Sequence, residues 1–140
     1  MCGITGMILG NKNRTKEEID NLIDDFNNLT VACTIRGRHA TGVYIVNPNE
    51  ILYTKLPLPA EEVIDTNNWQ EIMSKVTNDT IAVIGHVRYA THGDPIFNEN
   101  NHPLFNQNII GVHNGVIHNY QQLKTTELEG VFVAGATVQV

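Results

Sequence analysis

The stretch "TIAVIGHVRYA" (residues 80–90) is the strongest strand signal in the chain. Because side chains alternate along a strand, Ile84, His86 and Arg88 should share one face of the sheet. A charged residue deep in an apolar strand is costly unless it is paired. Arg88 is therefore predicted either to form an internal salt bridge or to stand at the strand's end, where a guanidinium can bind a carboxylate ligand through two hydrogen bonds. The spacing alone slightly favours the salt bridge.

The elements around this strand mix strands and helices in an irregular order. Further strands are predicted at residues 3–9, 40–46, 51–57, 108–113 and 131–140, with the turn "NPNE" between the second and the third. Helices are predicted after a capping box of Thr15 and Glu18, over residues 59–76 with a break near Asn67 and Asn68, and over residues 116–128. Since helices do not follow the strands one by one, this order favours an α+β fold over a doubly wound parallel sheet.

Composition limits the classes of function. With 140 residues, of which 41% are hydrophobic and 17% charged, the chain suits one soluble globular domain. Its net charge of −6, from 15 acidic and 9 basic residues, argues against nucleic acid or an anionic membrane as a partner. No apolar run is long enough to span a bilayer and the N-terminus lacks the features of a signal peptide, so a cytoplasmic protein is expected.

The chain contains two cysteines, Cys2 and Cys33, which a reducing compartment should keep as free thiols. Cys33, at the end of the first predicted helix, is expected to be a small buried apolar side chain. For Cys2 two interpretations remain: it starts a buried strand, or it becomes the first residue after removal of Met1. In the second case an α-amine, whose pKa is about 7.7–8.0, lies beside a thiol, whose pKa is about 8.5. Nucleophile and general base would then come from one residue.

The pair Asn114–Gly115 in "HNGVIHN" (residues 113–119) also has two interpretations. Asn-Gly between apolar stretches is typical of a type I′ hairpin turn. The same pair could form an oxyanion hole, in which the Asn114 side-chain amide and the Gly115 backbone N–H donate to a developing negative oxygen. The residues alone favour the hairpin.

The six histidines raise the question of a metal site. They follow none of the ligand spacings of zinc proteins, and His113 and His118 are five residues apart, which does not align them on one helical face. The chain is therefore expected to bind no metal and to need no cofactor.

Five segments, taken together and in this order, resemble the class II glutamine amidotransferases, whose glutaminase domain is an N-terminal-nucleophile hydrolase. They are "MCGITG" (1–6), "RGRHATG" (36–42), "GHVRYATHG" (85–93), "NHP" (101–103) and "HNGVIHN" (113–119). Within the family, "ATHG" is more similar to the glutaminase half of the glucosamine-6-phosphate synthases, whereas "GHVRY" is closer to the phosphoribosyl amidotransferases. The resemblance implies an αββα sandwich of the α+β class and a glutaminase domain over residues 1–140.

The resemblance also implies a site. Cys2 would attack the side-chain amide of L-glutamine to give a thioester and ammonia, with Asn114 and Gly115 as the oxyanion hole. Arg88 would hold the α-carboxylate of the substrate, so the resemblance reverses both preferences drawn from the residues alone. It further implies substrate-pocket positions at Tyr89, Thr91, His92 and His102, and residues of structural importance near the nucleophile at Arg36 and Gly37.

Two departures from the family pattern affect the function. His39 stands where the family usually has an acidic residue, and the sequence ends at Val140, close to where the family's acidic motif for the glutamine α-ammonium would follow. A domain truncated or divergent at its C-terminus, without a synthase domain, is therefore expected. Its uncovered sheet would invite self-association or a partner protein.

Two functions remain as hypotheses. The first is a glutaminase that forms glutamate and ammonia from L-glutamine and passes the ammonia to a separate acceptor enzyme or domain. The second is a catalytically silent glutaminase-like module that binds or regulates a partner.

Overall fold

A four-stranded antiparallel sheet forms the centre of the computed structural model, which describes residues 1–106 and 109–126. The strands are β1 (Gly3–Ile8), β2 (Ala40–Val46), β3 (Ile51–Leu56) and β4 (Ala82–Arg88), in the spatial order β1-β4-β2-β3. A separate two-stranded ribbon pairs β5 (Leu104–Asn106) with β6 (Ile109–Gly111). β4 is thus an inner strand, which agrees with its apolar sequence.

In the described part of the chain, four helices accompany the strands: α1 (Lys16–Ala32), α2 (Ala60–Val63), α3 (Asn67–Met73) and α4 (Tyr120–Thr126). Short 3-10 turns lie at Cys33–Arg36 and Asn98–Asn100. The predicted capping box is confirmed, because the Glu18 N–H donates to Thr15 Oγ1 (3.2 Å) and the Thr15 N–H to Glu18 Oε2 (2.8 Å). None of the helices in the described ranges is long and apolar enough to cross a membrane.

The hydrophobic core lies between one face of the sheet and helices α1 and α3. Phe26 of α1 stacks on Trp69 of α3, with ring centroids 6.5 Å apart. Gly85 of β4 allows Phe26 of α1 to lie close against the sheet, because a Cβ at Gly85 would lie 2.5 Å from Thr5 Oγ1 and 3.0 Å from the Phe26 ring. Around this contact pack the other buried apolar side chains, Leu9, Val43, Ile45, Val63, Ile72, Met73, Val76 and Val83.

The opposite face of the sheet carries His86 and Arg88, as the alternation in β4 predicts. Residues 98–103 lie over this face at one end of the sheet. Gly42 of β2 permits the contact, since a Cβ there would lie 2.1 Å from the His102 carbonyl oxygen and 3.0 Å from Pro103. Towards the other end of the sheet, Ile8, Ile51 and Tyr53 remain exposed.

The structure confirms the α+β class and the predicted strands β1 to β4 within one or two residues. The helix predicted over residues 59–76 is two helices, and the break precedes Asn67 because Thr66 caps α3 by accepting from the Trp69 N–H (3.3 Å). β6 is shorter than the predicted strand 108–113, and the strand predicted at residues 131–140 lies outside the described residues. Both cysteines are free thiols as predicted, but Cys33 is only partly buried because it begins the 3-10 turn after α1.

Candidate active site

The candidate site forms where β1 begins and β4 ends. The two strands are antiparallel, with Gly3 opposite Val87, so Cys2 lies beside the Arg88–Tyr89 peptide. Arg36 lies in the 3-10 turn after α1, and Asn114 lies in the segment after β6. Segments far apart in the sequence therefore meet around Cys2.

The Cys2 thiol is in contact with the backbone of Tyr89. The Tyr89 N–H donates to Cys2 Sγ at 3.3 Å, and the sulfur lies 3.7 Å from the Tyr89 carbonyl oxygen. Cys2 itself is partly buried. The Tyr89 peptide groups thus fix the position of the sulfur at the end of β4.

The backbone carbonyl of Cys2 accepts two side-chain hydrogen bonds. Arg36 Nε donates at 3.0 Å and Asn114 Nδ2 donates at 2.7 Å. Arg36 Nη2 also lies 3.8 Å from the sulfur of Met1. These bonds fix the main chain of the residue that carries the thiol.

Asn114 and Gly115 do not form the hairpin turn that the residues alone favour. They follow β6 and precede α4, and so do not join two paired strands. Both residues are exposed. The preference for a hairpin is wrong because the apolar residues after Gly115 lead into a helix, which a local Asn-Gly signal does not reveal.

Arg88 is almost fully buried, with 2% of its surface exposed. Its Nη1 donates to Asn101 Oδ1 at 2.8 Å, and its Nη2 donates to the carbonyl oxygens of Gly93 (2.9 Å) and His92. These bonds use three of the five N–H donors of a guanidinium. Among residues 1–106 and 109–126 no carboxylate forms a salt bridge with Arg88, so the internal salt bridge favoured by spacing is wrong. Neutral oxygens of the chain stabilise the charge instead.

Asn101 is a residue of this network that the sequence reasoning missed. Its side chain is fully buried, and besides accepting from Arg88 it donates to the Pro95 carbonyl (2.7 Å) and to Asn98 Oδ1 (3.1 Å). The "NHP" motif drew attention to His102 rather than to the asparagine before it. Such a buried, fully bonded Asn is recognisable only in three dimensions, because the arginine that it binds lies 13 residues away in the sequence.

Lys55 of β3 binds the backbone of the segment that contains Asn101. Its Nζ donates to the carbonyl oxygens of Asn101 (2.7 Å) and Pro103 (2.9 Å). Burial lowers the pKa of Lys55, and the nearby charge of Glu99 partly opposes this. Lys55 therefore helps to fix the position of the amide that binds Arg88.

His102 and His86 form a buried pair on the same face of the sheet. Their ring centroids are 4.2 Å apart, and their four ring nitrogens have no hydrogen-bond partner within the described part of the chain. Burial lowers the pKa of His86 to about 4. Burial, together with the Arg88 charge and repulsion from His86 where that ring is protonated as well, lowers the pKa of His102 to about 3. Both rings are thus neutral at physiological pH and pack as apolar surfaces.

The other predicted pocket residues lie in the loop that follows β4. Thr91 and His92 are exposed, and the Tyr89 side chain is half exposed. Gly37 packs directly on this strand end, because a Cβ there would lie 2.5 Å from the Tyr89 backbone nitrogen. The structure thus brings Cys2, Arg36, Gly37, Tyr89 and Asn114 together, whereas no described hydrogen bond joins Thr91, His92 or His102 to Cys2.

The described residues offer no group of metal ligands near Cys2, and two grooves of the structure lie elsewhere. Within residues 1–106 and 109–126, no group of three or more His, Cys, Asp or Glu side chains is arranged to hold a metal ion. Two open grooves, of about 320 and 370 Å³, lie between β3 and α3 and between α1 and α3. Neither groove includes a residue of the candidate site.

Several curated proteins are similar to this chain. It is 34% identical over 140 residues to the glutamine--fructose-6-phosphate aminotransferase [isomerizing] of Streptococcus agalactiae serotype V, a match that covers 98% of this chain and 20% of the relative. It is 33% identical over 132 residues to the protein of the same name from Encephalitozoon cuniculi, with 89% of this chain and 18% of the relative covered. The chain thus spans about a fifth of the length of these relatives.

Two other comparisons add nothing to this relationship. No family model matches the chain. A complex of the beta-clamp processivity factor and the little finger domain of PolIV is similar with a TM-score of 0.46 at 10% identity, over 80% of this chain and 100% of that chain, and a likeness at this level carries no argument. The curated relatives confirm the resemblance expected from the motifs, and this chain is therefore a homologue of the class II glutamine amidotransferase domain of glutamine–fructose-6-phosphate aminotransferases.

Proposed function

We propose that this chain is a glutaminase domain that hydrolyses the side-chain amide of L-glutamine to glutamate and ammonia through a thioester on Cys2. The observation that supports it best is the arrangement around Cys2. The thiol meets the Tyr89 N–H, while Arg36 and Asn114 hold the Cys2 backbone carbonyl. The relatives are glutamine--fructose-6-phosphate aminotransferases, enzymes whose name includes glutamine as a substrate.

Removal of Met1 is part of the proposal, because it frees the α-amine of Cys2. That amine takes the proton of the thiol, and the thiolate attacks the amide carbon of glutamine. The amine then gives the proton to the leaving nitrogen, the C–N bond breaks and ammonia departs, leaving the thioester. Water, deprotonated by the same amine, attacks the thioester; the C–S bond breaks, and glutamate and the free thiol are formed.

Asn114 and Gly115 are proposed to stabilise the oxyanion of both tetrahedral intermediates. The Asn114 amide nitrogen carries two N–H groups, and its bond to the Cys2 carbonyl uses one of them. The second is available for an oxyanion formed beside the thiol. Gly115 would contribute its backbone N–H from the adjoining exposed position.

Arg88 is proposed to bind the α-carboxylate of glutamine. Two of its five N–H donors remain after the bonds to Asn101, His92 and Gly93. Because only 2% of the residue is exposed, a carboxylate can reach these donors only if residues that cover Arg88 move. Tyr89, Thr91 and His92 would then line the pocket, and His102 would support it from beneath.

An αββα sandwich remains the proposed architecture of the complete domain. Helices α1 and α3 cover one face of the sheet, whereas residues 98–103 cover only one end of the opposite face and leave Ile8, Ile51 and Tyr53 exposed there among the described residues. A second sheet, supplied by further chain or by a partner, would cover it. Transfer of ammonia to an acceptor enzyme or domain and a cytoplasmic location are further predictions.

A second candidate function is a catalytically silent module that binds or regulates a partner. The burial of Arg88 favours it, because the guanidinium that should receive the substrate is already bonded to oxygens of the chain. The two candidates differ in whether the pocket opens to glutamine.

Labelling with a diazoketone analogue of glutamine, followed by intact and peptide mass spectrometry, tests the proposal. We expect a mass without Met1, one label on Cys2 and none on Cys33. Glutamate should form from glutamine in the wild-type protein and in Cys33→Ala, but not in Cys2→Ala. A folded protein that lacks Met1 and yet takes no label would support the silent module instead.

A further inference from the structure

His39 binds the main chain on both sides of Tyr89. Its backbone N–H donates to the Arg88 carbonyl oxygen at 3.0 Å. Its ring nitrogen Nδ1 accepts from the Ala90 N–H at 2.8 Å. One residue thus binds both peptide groups of Tyr89: the Arg88–Tyr89 peptide, which contains the Tyr89 N–H, and the Tyr89–Ala90 peptide.

The Tyr89 N–H is the donor that meets the Cys2 thiol, at 3.3 Å. The His39 ring also lies on the Tyr89 ring, with centroids 5.0 Å apart and planes at 33°. His39 therefore holds Tyr89 in two ways: it bonds to the backbone of Arg88 and Ala90, and its ring packs on the Tyr89 ring. The Tyr89 N–H meanwhile points at the sulfur of Cys2.

We propose that His39 is a positioning residue for the nucleophile, which acts by holding the Tyr89 N–H against Cys2 Sγ. The contact that carries this role is the hydrogen bond from Ala90 to Nδ1. A nitrogen that accepts has no hydrogen of its own, so the neutral ring carries its hydrogen on Nε2. A side chain without an acceptor at this position would leave the Ala90 N–H unpaired and release the turn after β4. The role rests on the proposed function only in taking Cys2 as the nucleophile.

The rate of alkylation of Cys2 by iodoacetamide tests this role without any need for glutamine or for removal of Met1. Peptide mass spectrometry follows Cys2 and Cys33 in the same molecule, so Cys33 is the internal reference. Three variants are compared with the wild-type protein. His39→Leu removes the acceptor, His39→Asn keeps an acceptor oxygen at the same number of bonds from the main chain, and His118→Leu makes the same change at another exposed histidine.

We expect His39→Leu to lower the rate constant of Cys2 about threefold to tenfold, the effect of one weakened hydrogen bond, with the rate of Cys33 unchanged. His39→Asn should restore the wild-type rate, and His118→Leu should have no effect. An unchanged Cys2 rate in folded His39→Leu contradicts the proposal, and so does a rate in His39→Asn as low as in His39→Leu. If His39→Leu does not fold, the Cys2 alkylation rate of His39→Asn still tests the proposal. A rate well below that of the wild-type protein in this variant, which keeps an acceptor, would exclude a role for the acceptor.

The outcome is independent of the glutaminase proposal. Failure of the diazoketone to label Cys2 would exclude glutamine recognition but leave these alkylation rates as expected. Conversely, normal labelling with rates that do not depend on residue 39 would remove only the role of His39.

Discussion

Arg88 places a positive charge in the interior of the protein. Hydrogen bonds to uncharged oxygens of a few individual residues stabilise that charge. Asn101 accepts from its Nη1, while backbone oxygens of His92 and Gly93 accept from its Nη2. The sequence suggested the cost of burying Arg88 but not the identity of its partners. The carboxylate expected from spacing is absent from the described contacts because carbonyl and amide oxygens already satisfy the charge.

Asn101→Leu should destabilise the protein, because leucine has nearly the same shape but cannot accept from Arg88. Loss of a buried hydrogen bond to a charged group should lower the free energy of unfolding by about 3 kcal/mol. Urea denaturation measures this value. Asn28→Leu on the exposed side of α1 is the matched control and should change it by less than about 0.5 kcal/mol. Equal effects of the two substitutions would show that the Asn101 amide contributes little.

At the scale of elements, the site depends on how closely the turn after α1 approaches the end of β4. Gly37 makes this approach possible, because a Cβ there would lie 2.4 Å from the Arg88 carbonyl carbon and 2.5 Å from the Tyr89 nitrogen. Its backbone is extended, with φ of −179°, so the need for glycine is steric rather than conformational. The "RGRHATG" motif thus has a physical reason for its first glycine.

Gly37→Ala should push the end of β4 away from the turn and disturb the contact between Tyr89 and Cys2. We expect a loss of about 1–3 kcal/mol in the free energy of unfolding, as for other overpacked positions, together with slower alkylation of Cys2. Denaturation and thiol alkylation measure the two effects. Gly10→Ala is the control, since a Cβ at Gly10 meets nothing within 4 Å. Wild-type values for both quantities in Gly37→Ala would refute the close-packing argument.

At the scale of the whole molecule, the buried pair of His86 and His102 links the stability of the fold to pH. The folded-state pKa values are about 4 and about 3, whereas an unfolded chain has histidines near pKa ~6.5. The unfolded state therefore binds more protons below that pH. Stability should be independent of these two residues above it and should be lost as the pH falls towards 4 and 3.

Between about pH 6 and 5, each of the two histidines should lower the free energy of unfolding by about 1.4 kcal/mol per pH unit. Carboxylates add their own pH dependence, so a variant is needed to isolate the pair. His86→Phe should reduce the dependence of the free energy of unfolding on pH by about the contribution of one histidine. His118→Phe, at an exposed position, should leave this dependence unchanged. Urea denaturation at a series of pH values provides the slopes. A slope for His86→Phe equal to that of the wild type would mean that His86 takes up its proton in the folded state as well.

The sequence by itself determined the local elements and the family. Strand β4, the capping box of α1 and the hairpin of β2 and β3 follow from periodicity and short-range hydrogen bonding, which nearby residues control. The motifs containing Cys2, Arg88 and Asn114 were enough for the resemblance that the curated relatives confirm. Only the tertiary structure decided that Arg88 bonds to Asn101 rather than to a carboxylate, that Asn114 binds the Cys2 carbonyl instead of turning a hairpin, and that His39 faces the Ala90 N–H. These contacts join residues from different elements, and many of them involve backbone atoms, which every residue has and no sequence pattern distinguishes.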